Sequence, residues 1–257
     1  MNGELSVWRV EWIRLLRTRR WLALGGVFVL FGFIGPLVAK YTSQLLSHAG
    51  GDKGTQITIT VPPPVPADGV SGYTGNALQV GLVVTMVIAA FACAIDAKPA
   101  LSVFYRTRAR RFADLVVPRF TVTAAGAVAA YLVGLLASWY ETAVLIGDPG
   151  AVPMLETALV GSLYLVFAVA VTALTATVAR STLGTVGYAL VVMLALPIAG
   201  AIPDVSRWLP STLSDAPYAF VQHTNPDHYQ RALIVTVLLT AVVLALAVVR
   251  GARREVR

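Results

Sequence analysis

The stretch Phe120–Ile146, FTVTAAGAVAAYLVGLLASWYETAVLI, and its neighbour Leu155–Ala179, LETALVGSLYLVFAVAVTALTATVA, decide the fold. Each carries one ionisable side chain, Glu141 in the first and Glu156 in the second. Each exceeds the ~20 residues that a helix rising 1.5 Å per residue needs to cross bilayer hydrocarbon. Lone apolar strands cannot satisfy their backbone groups in lipid, so these stretches are helices. Working outward, further apolar stretches lie at about 21–40, 76–95, 183–202 and 232–249. With 120–146 and 155–179 they make six spans. The expected fold is an all-α integral membrane protein, one transmembrane domain over residues 1–257, with an N-terminal amphipathic interfacial helix.

Composition agrees. Of 257 residues, 57% are hydrophobic and 13% charged, against roughly a quarter charged in soluble domains. No small-residue cleavage site follows Trp21–Ala39, which therefore reads as a retained first span. Cys93 is the single cysteine, so no intrachain disulfide forms, and its apolar surroundings make it a packing residue.

Charge sets the orientation. The net charge of +7 could suggest nucleic acid, but the basic residues cluster beside the apolar blocks. Arg9, Arg14, Arg17, Arg19 and Arg20 precede the first span. Lys98, Arg106, Arg108, Arg110, Arg111 and Arg119 follow the second, Arg180 sits in the tight fourth connection, and Arg250, Arg253, Arg254 and Arg257 follow the last. The opposite side holds Lys40, Lys53, Arg207 and Arg231. A bias of 16 to 4 among 20 basic residues places both termini in the cytoplasm of a cell-membrane protein. Trp21, Tyr41, Tyr73, Trp139, Tyr140 and Trp208 fall near the expected span ends, at headgroup depth.

Four longer segments lie outside these spans. Residues 4–20 place Leu5, Trp8, Trp12, Leu15 and Leu16 on one helical face, and Glu4, Glu11, Arg14 and Arg17 on the other. Such a helix suits the membrane interface, where it meets lipid. The basic segment 97–118 carries an apolar knob of Leu101, Phe104 and Tyr105, with Arg106, Arg108, Arg110 and Arg111 around it. It is either a topology signal or a docking element. The outer segment 203–231 mixes Trp208, Leu213, Tyr218 and Phe220 with Pro203, Pro210, Pro217 and Pro226, the pattern of short helices dipping into the outer leaflet. The longest outer connection, Tyr41–Thr74, reads as a polar spacer, extended over Thr55–Val61 and Pro62–Pro66.

Catalytic chemistry is missing from the pattern. No phosphate-binding Gly-x-x-x-x-Gly-Lys-Ser/Thr loop surrounds Lys40, Lys53 or Lys98, so no ATP or Mg site is expected in this chain. The span centres carry no ionisable residue, which argues against an ion-driven carrier. His48, His223 and His228 lie outside the spans, and no catalytic, cofactor or metal site is expected from them. Gly126, Ala130, Gly134 and Ser138 form a small-residue stripe in the third span, where another helix can approach closely.

The arrangement resembles the type 2 permease subunits of ATP-binding-cassette (ABC) exporters. The resemblance rests on the Trp8–Arg20 elbow helix, six spans with both ends inside, the segment Leu101–Arg119 (LSVFYRTRARRFADLVVPR), and the broken outer segment with Trp208–Leu213 (WLPSTL). It implies a half-transporter that pairs with a second permease subunit and with separate ABC ATPase subunits carrying ATP and Mg. It also implies that the segment after the second span docks on the ATPase, and that the cargo is among drugs, lipids, polysaccharides, peptides and ions; the lack of charge within the spans favours an amphipathic or hydrophobic one such as a drug, lipid or peptide. A stand-alone secondary transporter and a non-transporting membrane scaffold or immunity protein are the alternatives.

Overall fold

The computed structural model describes residues 2–49, 63–97, 111–222 and 227–253. Among them every regular element is helical. In chain order these are α1 (Asn2–Arg17), α2 (Arg20–Ala49), α3 (Pro66–Asn76), a π-helical turn (Ala77–Gly81), α4 (Leu82–Cys93) and a 3-10 turn (Ile95–Ala97). Then come α5 (Ala113–Leu145), α6 (Ala151–Ala176), α7 (Thr182–Ala199), α8 (Pro203–Ser206), a 3-10 turn (Pro210–Ser214), α9 (Ala216–Val221) and α10 (Asp227–Arg253). Six helical stretches are long and apolar enough to cross a membrane: Arg20–Thr42, Pro66–Cys93, Ala113–Leu145, Ala151–Ala176, Thr182–Ala199 and Tyr229–Arg253. The protein is an all-α, multi-pass membrane protein. The starts of α2 and α5 and the end of α10 meet at one end of the bundle, called proximal below; the opposite end is distal.

Two spans begin about two turns or more before the stretches hydropathy marks. The second starts at Pro66, whose ring suits a first helical turn, and Asp68 Oδ2 accepts the Val65 N–H at 2.9 Å. Its first turns are small and polar, so a hydropathy average passes over them although they are buried. Tyr73 is therefore not a headgroup-depth ring. It is fully buried, stacked on Tyr131 at 5.6 Å, and its hydroxyl donates to the Tyr131 carbonyl at 2.6 Å. Tyr131 in turn donates to the Thr157 carbonyl at 3.2 Å, and Phe28 meets its ring edge-on at 5.9 Å. This aromatic knot joins α2, α3, α5 and α6 at the centre of the core. The third span starts at Ala113 and so includes Arg119 within its helix.

Glycines let the helices close on this knot. A Cβ at Gly32 would lie 2.5 Å from the Gly134 carbonyl oxygen, and one at Gly134 would lie 2.5 Å from the Phe28 carbonyl oxygen. Gly35 faces Gly72 and Tyr73 in the same way. Gly134 of the small-residue stripe thus seats α2 of the same chain. The π-helical turn brings Gly81 beneath the Phe28 ring. α6 is the most enclosed span, with 67% of its apolar window buried, against 22% for α7 and 17% for α10. The last two line the outside of the bundle.

Candidate functional site

At the proximal end α1 leaves α2 through a sharp corner. Arg19 adopts φ 53°, a left-handed conformation unusual for a residue with a side chain, and Thr18 Oγ1 closes α1 by donating to the Arg14 carbonyl at 2.7 Å. The corner folds α1 back against α5. Leu15 is buried there, its Cδ2 lying 3.0 Å from where a Gly126 Cβ would stand.

One turn before Leu15, Glu11 meets Arg119. Arg119 Nε donates to Glu11 Oε1 at 3.1 Å, and Arg119 Nη1 donates to the Ala92 carbonyl at 3.3 Å in the last turn of α4. Arg14 adds a cation 3.6 Å from Glu11 Oε2. Glu11 is 8% exposed and Arg119 4%. This corrects two expectations from sequence. Glu11 does not belong to the solvated face of the N-terminal helix, and Arg119 is not a flanking charge but a buried member of α5. Charges so enclosed persist only when paired and hydrogen-bonded, because desolvation of each costs several kcal/mol. Beside them the Arg20 guanidinium lies 5.2 Å from the Phe91 ring centroid, tying α2 to α4.

These contacts lie at the end of α4 and the start of α5. Arg119 links α1 to both helices. At the start of α5 the Arg111 N–H donates to Asp114 Oδ2 at 3.0 Å, and the Phe112 ring fills the space over Gly251 of α10. Through Arg119 and Phe112 the first turns of α5 thus touch α1, α4 and α10.

The expected docking residues divide. Arg111 is exposed at the edge of this assembly, while Leu101, Phe104, Tyr105, Arg106 and Arg108 lie outside the described residues. Of the N-terminal helix residues, Trp8 and Trp12 are 37% and 43% exposed and Arg17 is exposed, leaving an aromatic and basic surface beside the buried Glu11–Leu15 strip. His223 lies outside the described residues, as do the side chains of His48 and His228. Among the described residues no group of three His, Cys, Asp or Glu side chains could hold a metal, and Cys93 is buried.

The distal end is capped by α8, the 3-10 turn Pro210–Ser214 and α9. Leu213, Ala216 and Phe220 pack with Val160 of α6 and Ala232 of α10, and the Arg231 guanidinium lies 5.6 Å from the Trp208 ring centroid. Proline starts each short helix, where its missing N–H is no loss. In the turn between α5 and α6, Asp148 accepts the Gly150 N–H at 3.0 Å and the Trp139 Nε1–H at 3.2 Å. These bonds hold its carboxyl below the usual carboxylate range.

A sequence signal for the ion pair existed. Glu11 stands three residues after Trp8 and four before Leu15, in the apolar stripe itself, and Arg119 is embedded in Val116–Thr123 (VVPRFTVT). An ionisable residue inside an apolar run marks a buried partner. No family model matches this chain, and no curated protein matches it.

Proposed function

We propose that the chain is the permease subunit of an ATP-driven ABC exporter, forming a path for an amphipathic or hydrophobic cargo such as a drug, lipid or peptide. It works with separate ATPase subunits and with a second permease chain. The observation that carries this reading is the proximal assembly. A helix with exposed tryptophan and arginine is stapled by a buried ion pair to the two helices that flank a basic connection, so force applied there reaches the spans. The short helices at the distal end fit the same reading, since they pack against α6 and α10 there. Both termini face the cytoplasm, on the 16-to-4 distribution of basic residues.

Orientation is tested by cysteine labelling in intact cells. Gly69 is a poor probe site because it is buried against Thr142. Gln222 and Ala252 are both exposed. A membrane-impermeant maleimide should label Gln222→Cys and miss Ala252→Cys; the reverse pattern would invert the topology.

Coupling is tested on the apolar knob. Truncating Phe104 or Tyr105 to alanine should weaken ATPase docking by about 1–3 kcal/mol, within the range for interface anchors. Arg108→Ala should cost less, and less again at high salt. The assay is co-purification of the ATPase and substrate-stimulated ATP hydrolysis, with monodispersity as the control. Full turnover in a Phe104→Ala/Tyr105→Ala double variant would reduce this segment to a topology signal.

A further inference from the structure

Hydroxyls inside this bundle are mostly closed off by their own helix. Thr85 donates to the Gly81 carbonyl at 2.8 Å, Thr172 to Ala168 at 2.8 Å and Thr236 to Ala232 at 2.6 Å. Ser138 Oγ, Thr142 Oγ1 and Thr157 Oγ1 break that pattern. All three are fully buried with no hydrogen-bond partner among the described residues. Nor are they scattered. Ser138 and Thr142 are one turn apart on α5, on the same face. α5 and α6 are antiparallel through the turn at 146–150. Ser138, near the distal end of α5, therefore stands at about the depth of Thr157, near the start of α6. Thr142 borders α3, where a Cβ at Gly69 would lie 2.6 Å from its Oγ1. On the proximal side the group ends at the Tyr131 hydroxyl, bonded to the Thr157 carbonyl.

We infer that Ser138, Thr142 and Thr157 form an internal hydration site where α3, α5 and α6 meet. A polar atom buried in apolar surroundings without a partner is costly, and most such atoms are matched by protein or by ordered water. A buried water makes about three hydrogen bonds, the number these hydroxyls offer. Water also suits their chemistry, since it both donates and accepts, whereas a cation would use only their acceptor lone pairs. A pocket of about 280 Å³ opens at the distal surface, lined by Val65, Pro66 and Ala67 at the start of α3, Asp148 and Pro149 of the turn after α5, and Val221 and Gln222 at the end of α9. The site does not depend on the transport reading.

Two measurements on the full chain in lipid nanodiscs test it. In X-ray radiolytic footprinting, bound water generates hydroxyl radicals in place. Tyr131 should be oxidised despite being fully buried, while Met86, equally buried and intrinsically more oxidisable, stays unlabelled. In thermal unfolding, Thr142→Val and Thr157→Val should each lower Tm by about 2–4 °C, with less than additive effect together because they share one ligand. Absence of Tyr131 labelling in the wild-type protein overturns the assignment without recourse to variants. So does a Tm left unchanged or raised by both valines, the response of unpaired hydroxyls. A Tm that rises with sodium but not with choline would make the ligand a cation and also overturn it.

Discussion

Replacing Arg119 with alanine should destabilise the protein by about 3–5 kcal/mol, the cost of leaving one charge of a buried pair without its partner. Glu11 would keep Arg14, 3.6 Å away at the edge of solvent, but lose its buried hydrogen-bonded partner, and the Ala92 carbonyl would lose the Nη1 bond. Glu11→Ala should act in the same direction, removing the carboxylate that neutralises the buried Arg119 guanidinium. The informative variant is the double replacement Glu11→Leu/Arg119→Met. Apolar residues of similar volume often match or exceed a buried ion pair in stability, so this chain should recover most of the loss. Denaturant unfolding in lipid nanodiscs reads all three. If the single variants unfold within 1 kcal/mol of wild type, the pair does not hold α1 in place. Stability and coupling separate in the double variant. On the proposed function its fold should be sound, while ATP hydrolysis responds less to cargo, because a greasy contact does not transmit direction as an oriented hydrogen-bonded pair does.

The second large effect should come from Gly134→Ala. Its added Cβ would lie 2.5 Å from the Phe28 carbonyl oxygen and 2.7 Å from the Tyr73 hydroxyl. The carbonyl cannot rotate aside as a side chain would, so α2 must move away from α5, with Tyr73 losing its seat on the Tyr131 carbonyl. Overpacking of this kind costs about 1–3 kcal/mol, occasionally more. Gly25 and Gly187 provide the contrast, since a Cβ at either meets nothing within 4 Å. Alanine there should be neutral or stabilising by up to about 1 kcal/mol, because it is the better helix former. Equal destabilisation at Gly134 and Gly187 would show that the loss reflects helix insertion in general and not the α2–α5 contact.

The residues at these two places explain how far a linear reading reaches. Hydropathy is a property of consecutive side chains, and lipid requires every backbone group in a span to bond within its own helix. Six runs of apolar residues thus determine six helices by themselves. The same holds for the short helices of residues 203–222, because proline dictates where a helix starts irrespective of its neighbours.

What lies between helices was decided only by the tertiary structure. Glu11 and Arg119 are 108 positions apart, and their charges alone read as solvated flanks. Only the corner at Arg19, and the docking of Leu15 against Gly126, bring the carboxylate to the guanidinium. Tyr73 is aromatic and polar at once, so its type suits headgroups and core equally well. Its place in the core follows from a span that begins at Pro66, and from a carbonyl on another helix within reach of its hydroxyl. The stripe from Gly126 to Ser138 marked a surface for close approach without naming the helix that would come. Gly32 and Phe28 of α2 meet it at Gly134, and Leu15 of α1 meets it at Gly126. An apolar run needs only its own sequence to become a helix, whereas an ion pair, a buried hydroxyl or a glycine contact exists only once a second helix has arrived.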